Sequence, residues 1–162
     1  MTALSSLAQR VASELTLRGE TLAVVEASSG GRVSAALTAI PGSSRWFLGG
    51  AVAYSAAAKQ RLLGLSDDDV RASGAVDATT AAVLAQAVRV RLSATWGVAE
   101  TGIAGPQTGR RSTKPVGLAY IGVASASGTQ ARELRTGMDG RDANQTTFAE
   151  AALEALVDAL TG

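Results

Sequence analysis

Ser55 and Lys59 stand four apart at the start of the segment AAAKQRLLG, so a helix there puts the hydroxyl and the amine on one face. An amine that loses its proton in a buried setting can activate a serine, which makes a Ser-Lys dyad one reading of the pair. The other reading is a solvated lysine in the first turn of a helix. Tyr54 lies five residues before Lys59, one more than the spacing that aligns a Tyr-Lys pair on a helix. With no Gly-x-Gly-x-x-Gly loop present, this argues against a dinucleotide-dependent oxidoreductase.

Two further segments carry candidate chemistry. Glu26-Ala27-Ser28-Ser29-Gly30-Gly31 reads as a sharp strand-to-helix turn, whose helix N-terminal N–H groups can face a phosphate or a developing oxyanion, or can simply be capped. Thr101-Gly102-Ile103-Ala104-Gly105-Pro106, followed by Gly109, Arg110, Arg111 and Lys114, allows close backbone approach and adds positive charge. That suits a phosphate-bearing small molecule, with a solvated surface loop as the other reading. The Gly-Lys-Ser/Thr of a Walker loop is absent.

Composition narrows the chemistry. The chain has no histidine and no cysteine, which removes Ser-His-Asp catalysis, thiolate nucleophiles and the usual zinc ligands, and no metal site is expected. Of fifteen basic residues only Lys59 and Lys114 are lysines, and an ammonium can give up a proton where a guanidinium cannot. A net charge of +1 argues against a nucleic-acid partner. No apolar run approaches the roughly 20 residues that span a bilayer, and the N-terminus lacks a secretion-signal pattern, so a cytoplasmic protein is expected.

These residues need a scaffold, and 162 residues suit one domain, 1–162. Periodicity predicts helices over 4–17, from Val33 to Ile40, over 56–64, from Asp77 to about 92, and from Asp142 to about Leu160. The third of these is to be closed by Gly64, and the fourth is to carry Ala82, Val83, Ala85, Val88 and Leu92. Strands are predicted over 21–27, 49–55 and 95–105, with a hairpin of 116–125 and 129–137, and SDDDV at 66–70 as an N-capped turn. Interleaved strands and helices with a terminal hairpin predict an α/β fold, a three-layer α/β/α sandwich with a mixed, mainly parallel sheet. Loops 26–31, 54–59 and 101–115 then follow strand carboxyl ends, where ligands gather.

Taken in order, these segments resemble the C-terminal domain of the CinA (competence/damage-inducible protein) family, known in stand-alone form as nicotinamide-nucleotide amidohydrolase, PncC. The resemblance rests on Glu26 to Gly31, against the family's Glu-Ser-Cys-Thr-Gly-Gly; on Gly42-Ser43-Ser44 with Trp46-Phe47; and on Tyr54-Ser55 with Lys59. It continues through Gly74-Ala75-Val76, Thr101 to Pro106, Lys114 to Gly117 and Arg141-Asp142-Ala143.

The resemblance implies hydrolysis of nicotinamide mononucleotide to nicotinate mononucleotide and ammonia by a lysine-activated serine, without metal or cofactor. Lys59 matches the family base, and Ser44, Tyr54, Thr101 and Arg141 match residues lining its active site. Ser28, Ser29, Gly30, Gly31, Gly102 and Gly105 fall in its substrate-binding loops. The position of the nucleophilic serine is Ala27, which has no hydroxyl. Smaller departures are Ser28 for Cys, Ser29 for Thr, Gln107-Thr108, Leu118, and Asp139-Gly140 before Arg141.

Three explanations of Ala27 stand open: a natural binder without activity, replacement by Ser28, Ser29 or Ser55, or an introduced Ser→Ala change. Ser28 is awkward, since one step along a strand end turns a side chain to the opposite face. The expectation is loss or severe reduction of amidase activity with the pyridine mononucleotide pocket retained; the alternative is a non-catalytic mononucleotide-binding or protein-docking module. The resemblance also implies a homo-oligomer, into which the Trp46-Phe47 region buries unless it is simply core. The family often carries another domain ahead of this one, while Met1 and the short first helix point to a stand-alone form.

Overall fold

The structure, a computed structural model, describes residues 1–69, 76–107 and 112–162. Helix α1, Ala3–Arg18, starts where the Thr2 hydroxyl accepts the Ser5 N–H and stops where Gly19 turns left-handed at φ 64°. Its inward stripe is Leu7, Val11 and Leu15. Strand β1, Leu22–Glu26, is buried along its whole length, as a central strand covered on both faces must be. Helix α2, Arg32–Thr38, and a 3-10 turn at Ser43–Arg45 lead into β2, Phe47–Val52.

Helix α3, Ala56–Leu63, is capped by Ser55 and closed by Gly64 at φ 70°, and α4, Ala78–Arg91, is capped by Asp77. Strand β3, Trp96–Gly102, is followed by the hairpin of β4, Leu118–Ser125, and β5, Gly128–Arg135. Helix α5, Arg141–Thr161, closes the fold. The expected turn at 66–70 is present up to Asp69, where the Ser66 hydroxyl accepts the Asp69 N–H at 3.1 Å; Val70 lies outside the described residues.

The five strands lie in the order β2-β1-β3-β4-β5, with β1 parallel to β2 and β3, and with β4 antiparallel to both its neighbours. Four strands therefore share one direction, and the sheet is mixed. Helices α1, α2 and α5 pack on one face against Leu22, Val24, Val98, Ile121 and Val123. Helices α3 and α4 pack on the other against Ala23, Val25, Ala99 and Ala124. The result is the expected three-layer sandwich.

Helix α4 approaches its face closely because two strand positions have no side chain. A Cβ at Gly97 would lie 2.1 Å from the Ala85 carbonyl oxygen, and one at Gly122 would lie 2.1 Å from that of Ala81. This contact sets the helix's inward face as Ala81, Leu84, Ala85 and Val88. Of the residues this helix is expected to carry, Ala85 and Val88 lie on that face, and Ala82, Val83 and Leu92 do not. Trp46 is buried in the core beside α1, α2 and α5, and Phe47 is partly buried against the same core. Among the described residues no helix is long and apolar enough to cross a membrane.

Candidate active site

Because β1, β2 and β3 are parallel, their carboxyl ends meet at one edge, and the segments after them enclose a cavity of about 350 Å³. Ala27, Ser28, Tyr54, Lys59, Thr101, Gly102, Gly105 and Arg141 all line it. The sequence reading placed these residues on three loops and a distant helix start, and the fold unites them. Strand β2 ends at Val52, earlier than expected, so Tyr54 stands free of the sheet at the cavity mouth, 64% exposed.

Lys59 sits in the first turns of α3 and is only 5% exposed. Burial pushes its ammonium below the ordinary lysine value, and the negative charge of Glu100 pulls it back up. Among the described residues the ammonium has no hydrogen-bond or ion-pair partner, so its donors face the cavity. Arg141, the first residue of α5, donates to the Gly105 carbonyl at 2.8 Å and to the Tyr54 hydroxyl at 3.1 Å. It thereby joins three walls of the cavity. Lys59 and Arg141 are its charged lining residues, and no carboxylate is among the described lining.

The turn after β1 is organised by two buried carboxylates. Glu26 accepts the Val33 N–H at 2.6 Å, the Ser34 N–H at 3.4 Å and the Ser29 hydroxyl at 2.9 Å, which fixes the start of α2. Burial pushes its carboxyl above the usual carboxylate value, against these donors. Glu100 on β3 accepts the Ala27 N–H at 3.2 Å, the Ser29 N–H at 2.8 Å and the Ser28 hydroxyl. Several N–H groups expected to face a ligand anion are therefore bonded inside the protein.

The hydroxyls that stand near Ala27 in sequence are likewise engaged. Ser28 donates to Glu100, and its oxygen is among the atoms nearest a Cβ at Gly102, 2.9 Å away, together with Phe148 at the same distance. That is the side of the sheet covered by α5, as alternation along a strand end requires. Ser29 donates to Glu26. Ser55 accepts the Ala58 N–H at 3.1 Å as the cap of α3 and does not line the cavity, so the Ser55-Lys59 dyad is not assembled.

Four other candidate residues are not part of the described cavity lining. Ser44 is in the 3-10 turn before β2, at the amino end of the parallel strands and so at the opposite edge from the cavity. Gly30 and Gly31, at φ 67° and 94°, shape the turn into α2 without lining the cavity. Lys114 donates its ammonium to the Val76 carbonyl, closing one wall instead of offering a free charge. Gly74, Ala75, Thr108, Gly109, Arg110 and Arg111 lie outside the described residues.

Glu100 and Asn144 are the residues that sequence reasoning missed. An acidic residue inside the buried strand WGVAETG is itself a signal, because a buried charge demands partners. Asn144, wholly buried, donates to the carbonyls of Ala104 at 3.1 Å and Met138 at 3.0 Å and holds the 104–106 wall to α5. A second, more apolar hollow of about 600 Å³ lies between α3 and α4, lined by Leu63, Leu65, Val83, Gln86 and Val90 among others. It contains none of the candidate residues.

Comparison with known proteins follows the same lines. A CinA-like protein of Synechococcus elongatus is 47% identical over 152 residues, covering 93% of this chain and 36% of that protein. A CinA-like protein of Nostoc is 49% identical over 119 residues, 74% of this chain and 28% of that protein. The chain thus spans about a third of the length of the curated relatives it matches. The crystal structure of competence/damage inducible protein CihA from Agrobacterium tumefaciens superposes with a TM-score of 0.91 at 34% identity, covering 100% of this chain and 98% of that one. A competence or damage-inducible protein from Enterobacter asburiae gives 0.89 at 27% identity, over 99% and 100% of the two chains. The sequence pattern of the CinA C-terminal domain matches residues 4–160, and with relatives and structures agreeing over nearly the full length, the chain belongs to the CinA C-terminal domain family.

Proposed function

We propose that the cavity holds a pyridine mononucleotide with its ring substituent toward Lys59 and its phosphate toward Arg141. In this reading hydrolysis of nicotinamide mononucleotide through residue 27 is lost or severely reduced. The carrying observation is the convergence of Lys59, Tyr54, Thr101 and Arg141 on one cavity with Ala27. In an amidase of this design a neutral lysine takes the serine proton, the alkoxide attacks the carboxamide, ammonia leaves, and water releases the acid. Lys59 is positioned for the first of these steps, but Ala27 offers it no hydroxyl. The engagement of Ser28, Ser29 and Ser55 supports the absence of a substitute.

Ammonia release from nicotinamide mononucleotide tests the reading. Ala27→Ser is expected to exceed the unaltered chain by at least about 10²-fold, the scale of an activated nucleophile with its base. If both proteins fold and neither turns over, the amidase design is refuted. Calorimetric titration tests the pocket: saturable mononucleotide binding that weakens about tenfold or more in Arg141→Ala supports it, as expected for loss of a charged hydrogen bond. Silence toward both the amide and the acid favours a protein-docking module.

A further inference from the structure

The charges in the cavity do not match a neutral carboxamide. Lys59 is almost fully buried, opens onto the cavity, and has no partner for its three donors among the described residues. An ammonium taken out of water without acceptors is costly, and a negative partner compensates it better than a neutral one. Glu100 does not fill that role directly. Its oxygens accept two N–H groups and one hydroxyl, no ion pair joins it to Lys59, and its negative charge only partly offsets the burial that pushes the Lys59 ammonium below the ordinary lysine value. Arg141 supplies a second cation on the same lining, and no described lining residue is acidic. Ala27 gives Lys59 no hydroxyl proton to take at that position.

We infer that the cavity is a receptor for a carboxylate-and-phosphate dianion, and so takes the acid form of a pyridine mononucleotide in preference to the amide, with Lys59 paired to the carboxylate. The pyridine part of this statement rests on the function proposed above; the dianion part rests on the two cations. Without a nucleophile, such a site reports the product of amide hydrolysis instead of making it. The amide, lacking the carboxylate, leaves the Lys59 ammonium without an anionic partner.

The test is calorimetry with nicotinate mononucleotide, nicotinamide mononucleotide and 3-phosphoglycerate, the last carrying carboxylate and phosphate without a pyridine. The acid is expected to bind at least tenfold more tightly than the amide. Lys59→Met should remove most of that preference by weakening the acid far more than the amide, and Lys59→Arg, which keeps the cation, should retain it. Melting curves establish that both variants fold. Equal or tighter binding of the amide, or a preference that survives in Lys59→Met, overturns the inference and leaves the mononucleotide pocket standing. If neither mononucleotide binds, the pyridine reading fails. Lys59-dependent binding of 3-phosphoglycerate would then uphold the dianion site, and its absence would overturn that as well.

Discussion

Glu26 and Glu100 are lateral neighbours in the parallel register of β1 and β3, and both are buried without a direct cationic partner among the described residues. Each is satisfied by the turn that links β1 to α2. The pair divides the work: Glu26 fixes the start of the helix, and Glu100 fixes residues 27–29 beside the cavity.

Removing Glu100 should therefore cost more than an ordinary strand substitution. Glu100→Ala leaves the Ser29 N–H and the Ser28 hydroxyl short of an acceptor, while the Ala27 N–H keeps the Glu100 backbone carbonyl at 3.1 Å, and buried unsatisfied donors cost about 1–3 kcal/mol each. A loss of at least about 2 kcal/mol is expected in urea unfolding. Glu100→Gln, which keeps one acceptor oxygen, should lose less. Equal losses would show that the donors are not the cause.

Glu26 predicts a pH dependence of opposite sense to that of a salt-bridged carboxylate. Its folded pKa is raised above the ordinary 4.5, chiefly by burial. Between 4.5 and the folded value the native state holds a proton that the unfolded chain has released, so stability falls as pH rises through that window. The contribution is fully present below about 4.5. Unfolding free energies of the unaltered chain minus those of Glu26→Gln, measured from pH 3 to 7, should decline with pH; a difference that stays flat or climbs contradicts the assignment.

Gly122 should tolerate no side chain. A methyl group there meets the Ala81 carbonyl oxygen at 2.1 Å and its carbon at 2.5 Å, both backbone atoms of α4. Gly122→Ala must push the helix off the sheet, and overpacking of this kind costs about 1–3 kcal/mol or more. Gly128→Ala provides the contrast, since nothing lies within 4 Å of its added carbon, although its φ of 134° adds backbone strain. A smaller loss at Gly122 than at Gly128 would overturn the packing argument.

Much of the fold is legible in the sequence because its boundaries are local. Gly19 and Gly64 end helices, Asp77 begins one, and the Ala126-Ser127 connection turns the hairpin, all readable within a few residues. The position of β2 is less local. An irregularity opposite Leu22 and Ala23 lets the strand begin at Phe47 and end at Val52, which no pattern in 49–55 announces. The inward face of α4 is not local either: its partner surface is made by the glycines of two other strands. In the cavity, Lys59 could be picked out by residue type and Arg141 by similarity. Glu100 was signalled only by its charge inside an apolar strand, because two of its three partners are backbone N–H groups, which leave no mark on sequence. Ser44 was placed by similarity alone, and the chain's own topology carries it to the far edge of the sheet.

Among the described residues the cavity walls come from separate stretches of chain, at 27–28, 54, 59, 76, 101–106, 112 and 141. No contiguous fragment contains the site. A ligand held there is therefore linked to the cooperative unfolding of the entire domain, adding about 2.7 kcal/mol to it at a free concentration one hundred times Kd. Thermal shift thus becomes a screen for occupants that requires no turnover.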